Sequence, residues 1–245
     1  MPCPYKYMPT ILTVTKKEFE DLFYSPIAYV FLTVFLFLSF WLFFTNLFST
    51  GQASMRPLFG SFPLLLLIFL PAITMSQWAE EKKRGTLETL LTLPIRDRDL
   101  ILGKWLATFL FLAVALLLTL PACLTVSFMG NIDGGMVLAS YLGIFLMGGC
   151  YLAVGLFISS LTENQIIAFI LTTVVLFVFY LMGSPLVLNY VPQSLSPLFS
   201  FISLSGHYES SVRGVIDSRD VLYSLSFAWF FIYLNQLSLE SRQWH

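Results

Sequence analysis

Charge is scarce in this 245-residue sequence: only 11% of its residues are Asp, Glu, Lys or Arg, against 57% apolar residues and 17% aromatic ones. An ordinary soluble domain carries about 25% charged residues, so a water-soluble fold is excluded at the level of composition. Cysteine is almost absent too. Cys3 stands at the N-terminus, while Cys123 and Cys150 fall inside apolar runs, where a thiol behaves as a small hydrophobe. Neither a disulfide framework nor a paired-cysteine metal site is indicated. The net charge of −1 gives no basic surface of the kind nucleic acid requires.

Catalytic signatures are missing as well. There is no G-x-x-x-x-G-K-[ST] phosphate loop: Gly103-Lys104 lacks a glycine five residues earlier and is followed by Trp105. With two histidines in all and no H-E-x-x-H or G-x-S-x-G, neither a metalloprotease nor a serine hydrolase is suggested. His207 and Glu209, with Asp217 and Asp220 nearby, form the one cluster that could bind a metal or act as acid and base; ion pairing with Arg213 and Arg219 is the competing use. No internal repeat or low-complexity tract is visible.

What the sequence has is long apolar runs. Six stretches of about 20 residues free of Asp, Glu, Lys, Arg and His qualify as membrane spans, at about 27–48, 58–79, 105–128, 136–158, 166–188 and 221–239. They do not alternate as barrel strands would. The expected fold is therefore an all-α integral membrane protein of six transmembrane helices. Prolines 63, 71, 121 and 185 would bend or end helices, which membrane bundles tolerate when neighbours satisfy the freed backbone groups. The first run is too long for a signal-peptide core, so the N-terminus is expected to stay attached.

Ahead of the first span, residues 10–25 read as an amphipathic interfacial helix with Ile11, Leu12, Thr15, Phe19, Leu22 and Phe23 along one stripe. Thr15 and Glu18 also have capping-box spacing, which would start the helix at Thr15. Between spans 5 and 6, residues 189–220 carry apolar pieces too short to cross, broken by Pro192, Pro197, Gly206 and Gly214, and are expected to form short helices on the outer face. In span 4 the pairs Ala139/Gly143, Gly149/Ala153 and Gly155/Ser159 allow close helix contact, within one subunit or at a dimer seam. Ten of the 13 basic residues fall on one side of the six spans, which places both termini and the 80–104 loop in the cytoplasm.

That loop, EEKKRGTLETLLTLPIRDRDLILGK, holds eleven of the 27 charged residues. Gly85 breaks the charged run, Thr86 is placed to cap a short helix with Glu88 in its first turn, and Pro94 stops it. Leu87, Leu90 and Leu91, at i, i+3 and i+4, give that helix an apolar face suited to a groove on another protein. Asp97 or Asp99 can cap a second helix leading into span 3. The plain alternative is a topological anchor with acids that keep the loop soluble.

The stretch resembles the signature region of the ABC-2 exporter permeases. In that family an acidic and basic run, a G-T-L-E-x-L-L step, a proline and a charged segment ending in G-K lie between the second and third membrane helices. Here these are Glu80 to Arg84, Gly85 to Leu91, Pro94 and Gly103-Lys104. The segment 205–223 looks like the gliding-motility-type permeases within the family. The resemblance implies one transmembrane domain over residues 1–245, in the bacterial cytoplasmic (inner) membrane. It implies a cytosolic ABC ATPase subunit as partner, holding ATP and magnesium, with no cofactor on this chain and no enzymatic activity of its own. A homodimer or a heterodimer with a paralogous permease, and an extracytoplasmic auxiliary protein, are implied by the same likeness. Thr86, Leu87, Glu88, Leu90, Leu91 and Pro94 would form the coupling helix. Glu163, in the turn between spans 4 and 5, is a second candidate contact, beside the reading of Thr162 to Gln165 as a capping box. A membrane scaffold or channel subunit without nucleotide coupling is the rival class. The lack of ionisable groups inside the spans argues against ion-coupled transport.

Overall fold

A computed structural model describes residues 10–51, 54–87, 96–130, 133–192 and 194–240. The described residues are helical, with no strand among them. In chain order the helices are α1 (Thr10–Tyr24), α2 (Pro26–Thr50), α3 (Arg56–Thr74), α4 (Ser76–Lys83), α5 (Asp97–Leu117), α6 (Leu120–Met129) and α7 (Gly134–Leu161). They continue with α8 (Gln165–Leu181), α9 (Pro185–Leu188), α10 (Ser196–Ile202), α11 (Leu204–Val212) and α12 (Ser218–Glu240).

Among the described residues, four segments are long and apolar enough to cross a bilayer: α2, α3 with α4 (Arg56–Lys83), α5 with α6 (Asp97–Met129), and α7. The fifth apolar run gives the shorter α8, of 17 residues, and the sixth gives the single helix α12. The chain is a multi-pass membrane protein. Large exposed apolar side chains such as Trp41, Phe128, Ile166 and Trp229 are what a lipid-facing surface requires.

The centre of the bundle is α7, which packs against α3, α4, α5, α8, α11 and α12. In its most apolar stretch 72% of residues are buried, against 22% for α2. Small residues make this possible. A Cβ at Gly148 would come within 2.3 Å of Leu112, one at Gly155 within 2.2 Å of Thr74, and one at Gly143 within 2.4 Å of Ser211. The small-residue face of span 4 is thus filled by the chain's own helices, not left open as a seam.

Two of the long segments are broken, and each break is bonded to α7. Between α3 and α4, Ser159 Oγ accepts from the amides of Trp78 (3.2 Å) and Ala79 (3.3 Å) and donates to the Met75 carbonyl (3.1 Å). Between α5 and α6, Thr119 Oγ1 lies 2.9 Å from the Tyr141 hydroxyl. Pro121 follows directly, inside the first turn of α6.

Pro63 sits inside α3 and has no N–H to donate to the Phe59 carbonyl four residues earlier. That carbonyl instead accepts from the Tyr208 hydroxyl of α11 at 2.9 Å, in a buried position. Burial pushes the Tyr208 phenol above its ordinary range, so the group stays a donor as the pH rises through about 10. Tyr208→Phe should cost about 1–3 kcal/mol by orphaning a buried carbonyl, read as a lower unfolding temperature in detergent; an unchanged temperature would contradict the assignment.

Several local expectations are corrected. The first helix already includes Thr10 and so does not begin at Thr15; Thr15 lies within it, its hydroxyl donating to the Ile11 carbonyl at 2.8 Å. The cap of α8 is Asn164, whose side chain accepts from Ile166 N at 2.9 Å, while Thr162 Oγ1 accepts from Asn164 N. At α5 the cap position is Arg96, with Asp97 and Asp99 in the first turn and no side-chain cap bond. Favourable charge at the helix dipole, not a hydroxyl or carboxylate cap, starts that helix.

Candidate functional site

The charged loop connects α4 to α5, and the structure places a buried charge cluster where those helices meet α1. Lys104, in the second turn of α5, is 1% exposed. Its ammonium lies 3.1 Å from Glu18 Oε2 of α1 and 2.7 Å from Glu81 Oε1 of α4. It also donates to the Gln77 carbonyl at 3.2 Å and sits 4.9 Å from the centroid of the Trp78 ring, within cation–π range.

Local sequence explains how a lysine reaches this place. Gly103 lets α1 approach α5 closely: a Cβ there would stand 2.5 Å from Val14 Cγ1. Val14, Thr15 and Glu18, one helical turn apart, form the buried side of α1, and α1 packs chiefly on α5. Leu12, expected on the apolar stripe, is instead 62% exposed, because the face is selected by the Gly103 approach and the Glu18–Lys104 pair. Around the ion cluster lies an apolar patch of Val14, Trp78, Leu87, Leu100, Ile101, Leu156 and Leu239. It brings the start and the end of the charged loop together with α1, α7 and α12.

The arrangement is a clamp. A buried ammonium is tolerable only with its charge balanced and its protons bonded, and here the partners come from α1 and α4, so that the cluster joins three helices. Further ties hold α4 to α7: Lys82 Nζ donates to the Ser160 carbonyl at the end of α7, where a cation suits the helix dipole. Displacement of the loop's ends must therefore move α1 and pull on α7.

Of the residues expected to couple, Thr86 and Leu87 are described. Thr86 Oγ1 donates to the Glu81 carbonyl at 3.2 Å, and Leu87 is buried in the apolar patch, holding the start of the loop segment to the bundle. Glu88, Leu90, Leu91 and Pro94 lie outside the described residues. Glu163 is in the turn before α8, at the same end of α7 as Ser160. Spacing marks Glu18 as part of a capping box and Ser159 as a small packing residue, which is not the use the structure makes of them, and nothing in the sequence singles out Gln77 or Trp78; a lysine one residue ahead of an uninterrupted apolar run is the one available signal.

A model of the family described as "ABC-2 family transporter protein" matches residues 12–234. The chain belongs to the ABC-2 transporter family. It is a membrane component of an ABC transporter, and the family implies an ABC ATPase as partner. A comparison with individual curated proteins returned no match. In this ABC-2 chain the family's G-K step is the close-approach glycine and the clamp lysine.

The acidic cluster at the opposite end of the bundle has a different character. His207 Nδ1 lies 2.7 Å from Asp220 Oδ1 and its Nε2 lies 2.9 Å from the Phe201 carbonyl, with the ring stacked on Tyr223 at 3.9 Å. Glu209 pairs with Arg213 at 2.6 Å, and Asp217 Oδ1 accepts from Arg219 N. These contacts tie α10, α11 and α12 together, and no group of three metal-ligating side chains occurs among the described residues.

Lys104→Met should destabilise this ABC-2 protein by about 3–5 kcal/mol, because it leaves two carboxylates facing each other without their cation. Adding Glu18→Gln and Glu81→Gln to the same chain should recover most of the loss. Unfolding temperatures in detergent separate the cases; equal stability of the single variant and the wild type would remove the clamp.

Proposed function

We propose that this chain is the permease subunit of an ATP-driven exporter in the bacterial cytoplasmic membrane. It crosses six times as one transmembrane domain, with both termini and the 80–104 loop in the cytoplasm, and works as a homodimer or with a paralogous permease. The observation that carries the reading is the Lys104 clamp, which joins both ends of the family's signature loop to α1. A topological anchor needs only its net basic charge. A loop that transmits force needs stiff attachment at both ends, and this one has it.

ATP and magnesium belong to the separate ATPase, since no phosphate loop occurs in the sequence. Leu87 anchors the segment inward, and the contact with the ATPase falls to Glu88, Leu90, Leu91 and Pro94, with Glu163 as a second contact. ATP-driven closure of the ATPase pair would push the loop, and the clamp would pass that movement to α1 and the spans as a rigid-body shift. The likeness of residues 205–223 to gliding-motility-type permeases supports a complex in motility or envelope maintenance, with an extracytoplasmic partner on α9 to α11.

Replacing Leu90 and Leu91 by Asp should abolish co-purification with the ATPase from mild detergent while the protein remains in the membrane. Undiminished co-purification would overturn the coupling-helix contact, whereas a purified complex that holds no ATPase at all would favour a scaffold or channel subunit.

A further inference from the structure

Beside the clamp, between α1, α2 and the α3–α4 break, lies a cleft of ≈ 510 Å³, a size that suits a small-molecule ligand. Its walls differ in kind. One side is apolar, with Ile27 and Phe31 of α2 and Ile73 of α3, while the other carries the carboxylates of Glu18, Asp21, Glu80 and Glu81. Two cations, Arg84 and Lys104, also line it, but both are engaged: Arg84 with Glu80, and Lys104 with Glu18 and Glu81. Four carboxylates against two lining cations leave an excess of negative charge, even with Lys17, outside the lining, 3.9 Å from Glu18 Oε1.

A second, independent feature points the same way. Gln77 is 7% exposed, lines the cleft, and its side-chain Oε1 has no hydrogen-bond partner. Glu81 Oε2, on the next turn of α4, is buried and unpartnered as well. Two adjacent acceptors without donors, in an acidic wall, call for a ligand that brings N–H groups or positive charge. The apolar wall at α2 and α3, on helices that face lipid, calls for a hydrophobic body on the same molecule.

We infer that this cleft binds an amphipathic cation, its apolar part against Phe31 and Ile73 and its charge toward Gln77, Glu81 and Asp21. The inference rests on the permease reading, for which it names a substrate class: a cationic amphiphile taken up at the loop end of the bundle, between the first two spans. The clamp then forms one wall of the binding site, so movement of the loop and a change in cleft shape are the same event.

The test is equilibrium binding of radiolabelled tetraphenylphosphonium to the full-length protein in lipid nanodiscs, without ATPase or nucleotide. The expected result is saturable binding that the isosteric anion tetraphenylborate does not displace. Gln77→Leu should weaken it at least fivefold. Because that change removes an unsatisfied buried acceptor, the unfolding temperature should stay level or rise, which a purely structural role would not produce. Ser76→Phe, which fills the cleft from a partly exposed position, should abolish binding. Absence of saturable binding, equal displacement by the anion, or unchanged binding in both variants would overturn the inference and leave the cleft to water and lipid. Co-purification of the ATPase, measured on the same variants, is independent of this outcome, so failure of the ligand proposal and failure of the permease reading are distinguishable.

Discussion

The rest of the structure depends on how one ammonium group is kept out of water. Moving a lone charge into a low-dielectric interior costs several kcal/mol even after relaxation, and Lys104 is 1% exposed. The cost is offset because Glu18, Glu81, the Gln77 carbonyl and the Trp78 ring converge on it. Such a cluster adds little net stability compared with apolar packing of the same volume. What it provides is directionality, since α1, α4 and α5 can satisfy the charges in one relative placement. That is the property a loop needs if it is to pass movement into a bundle.

The same economy of polar groups recurs along the spans. Every break in a long helix frees backbone groups that lipid cannot satisfy, and here the replacements come from side chains on the neighbouring helices. Ser159 serves the α3–α4 break, Tyr208 takes the carbonyl released by Pro63, and at the α5–α6 break Thr119 donates to the Leu116 carbonyl and is itself held by Tyr141. Ser159 and Tyr141 sit on α7, which also supplies glycines for close approach. A central helix of small residues and sparse hydroxyls thus holds together broken helices that would not be stable alone.

The apolar runs were legible in the sequence because lipid imposes a composition on about 20 residues at a time; the helices of residues 26–83 and 97–161 follow them closely. The charged loop and its glycine were legible through the family signature. The clamp was not, since Glu18 and Lys104 are 86 residues apart and nothing local marks Glu18 as buried. Thr15 and Glu18 at capping-box spacing pointed to a helix start, whereas tertiary contact through Gly103 draws that face into the bundle. Leu87 shows a similar limit. Its i, i+3, i+4 relation to Leu90 and Leu91 marks an apolar face, but periodicity does not tell which members of the face meet the chain's own core.

The central claim is that α1 and the start of α5 move as one body with the loop. Double electron–electron resonance between spin labels at the exposed positions Lys16 and Arg98 tests it most directly, in the complete complex without nucleotide and with trapped ATP. The account predicts one narrow distance distribution that is the same in both states. A second distance, or a shift on trapping ATP, would show that α1 separates from the loop and would contradict it.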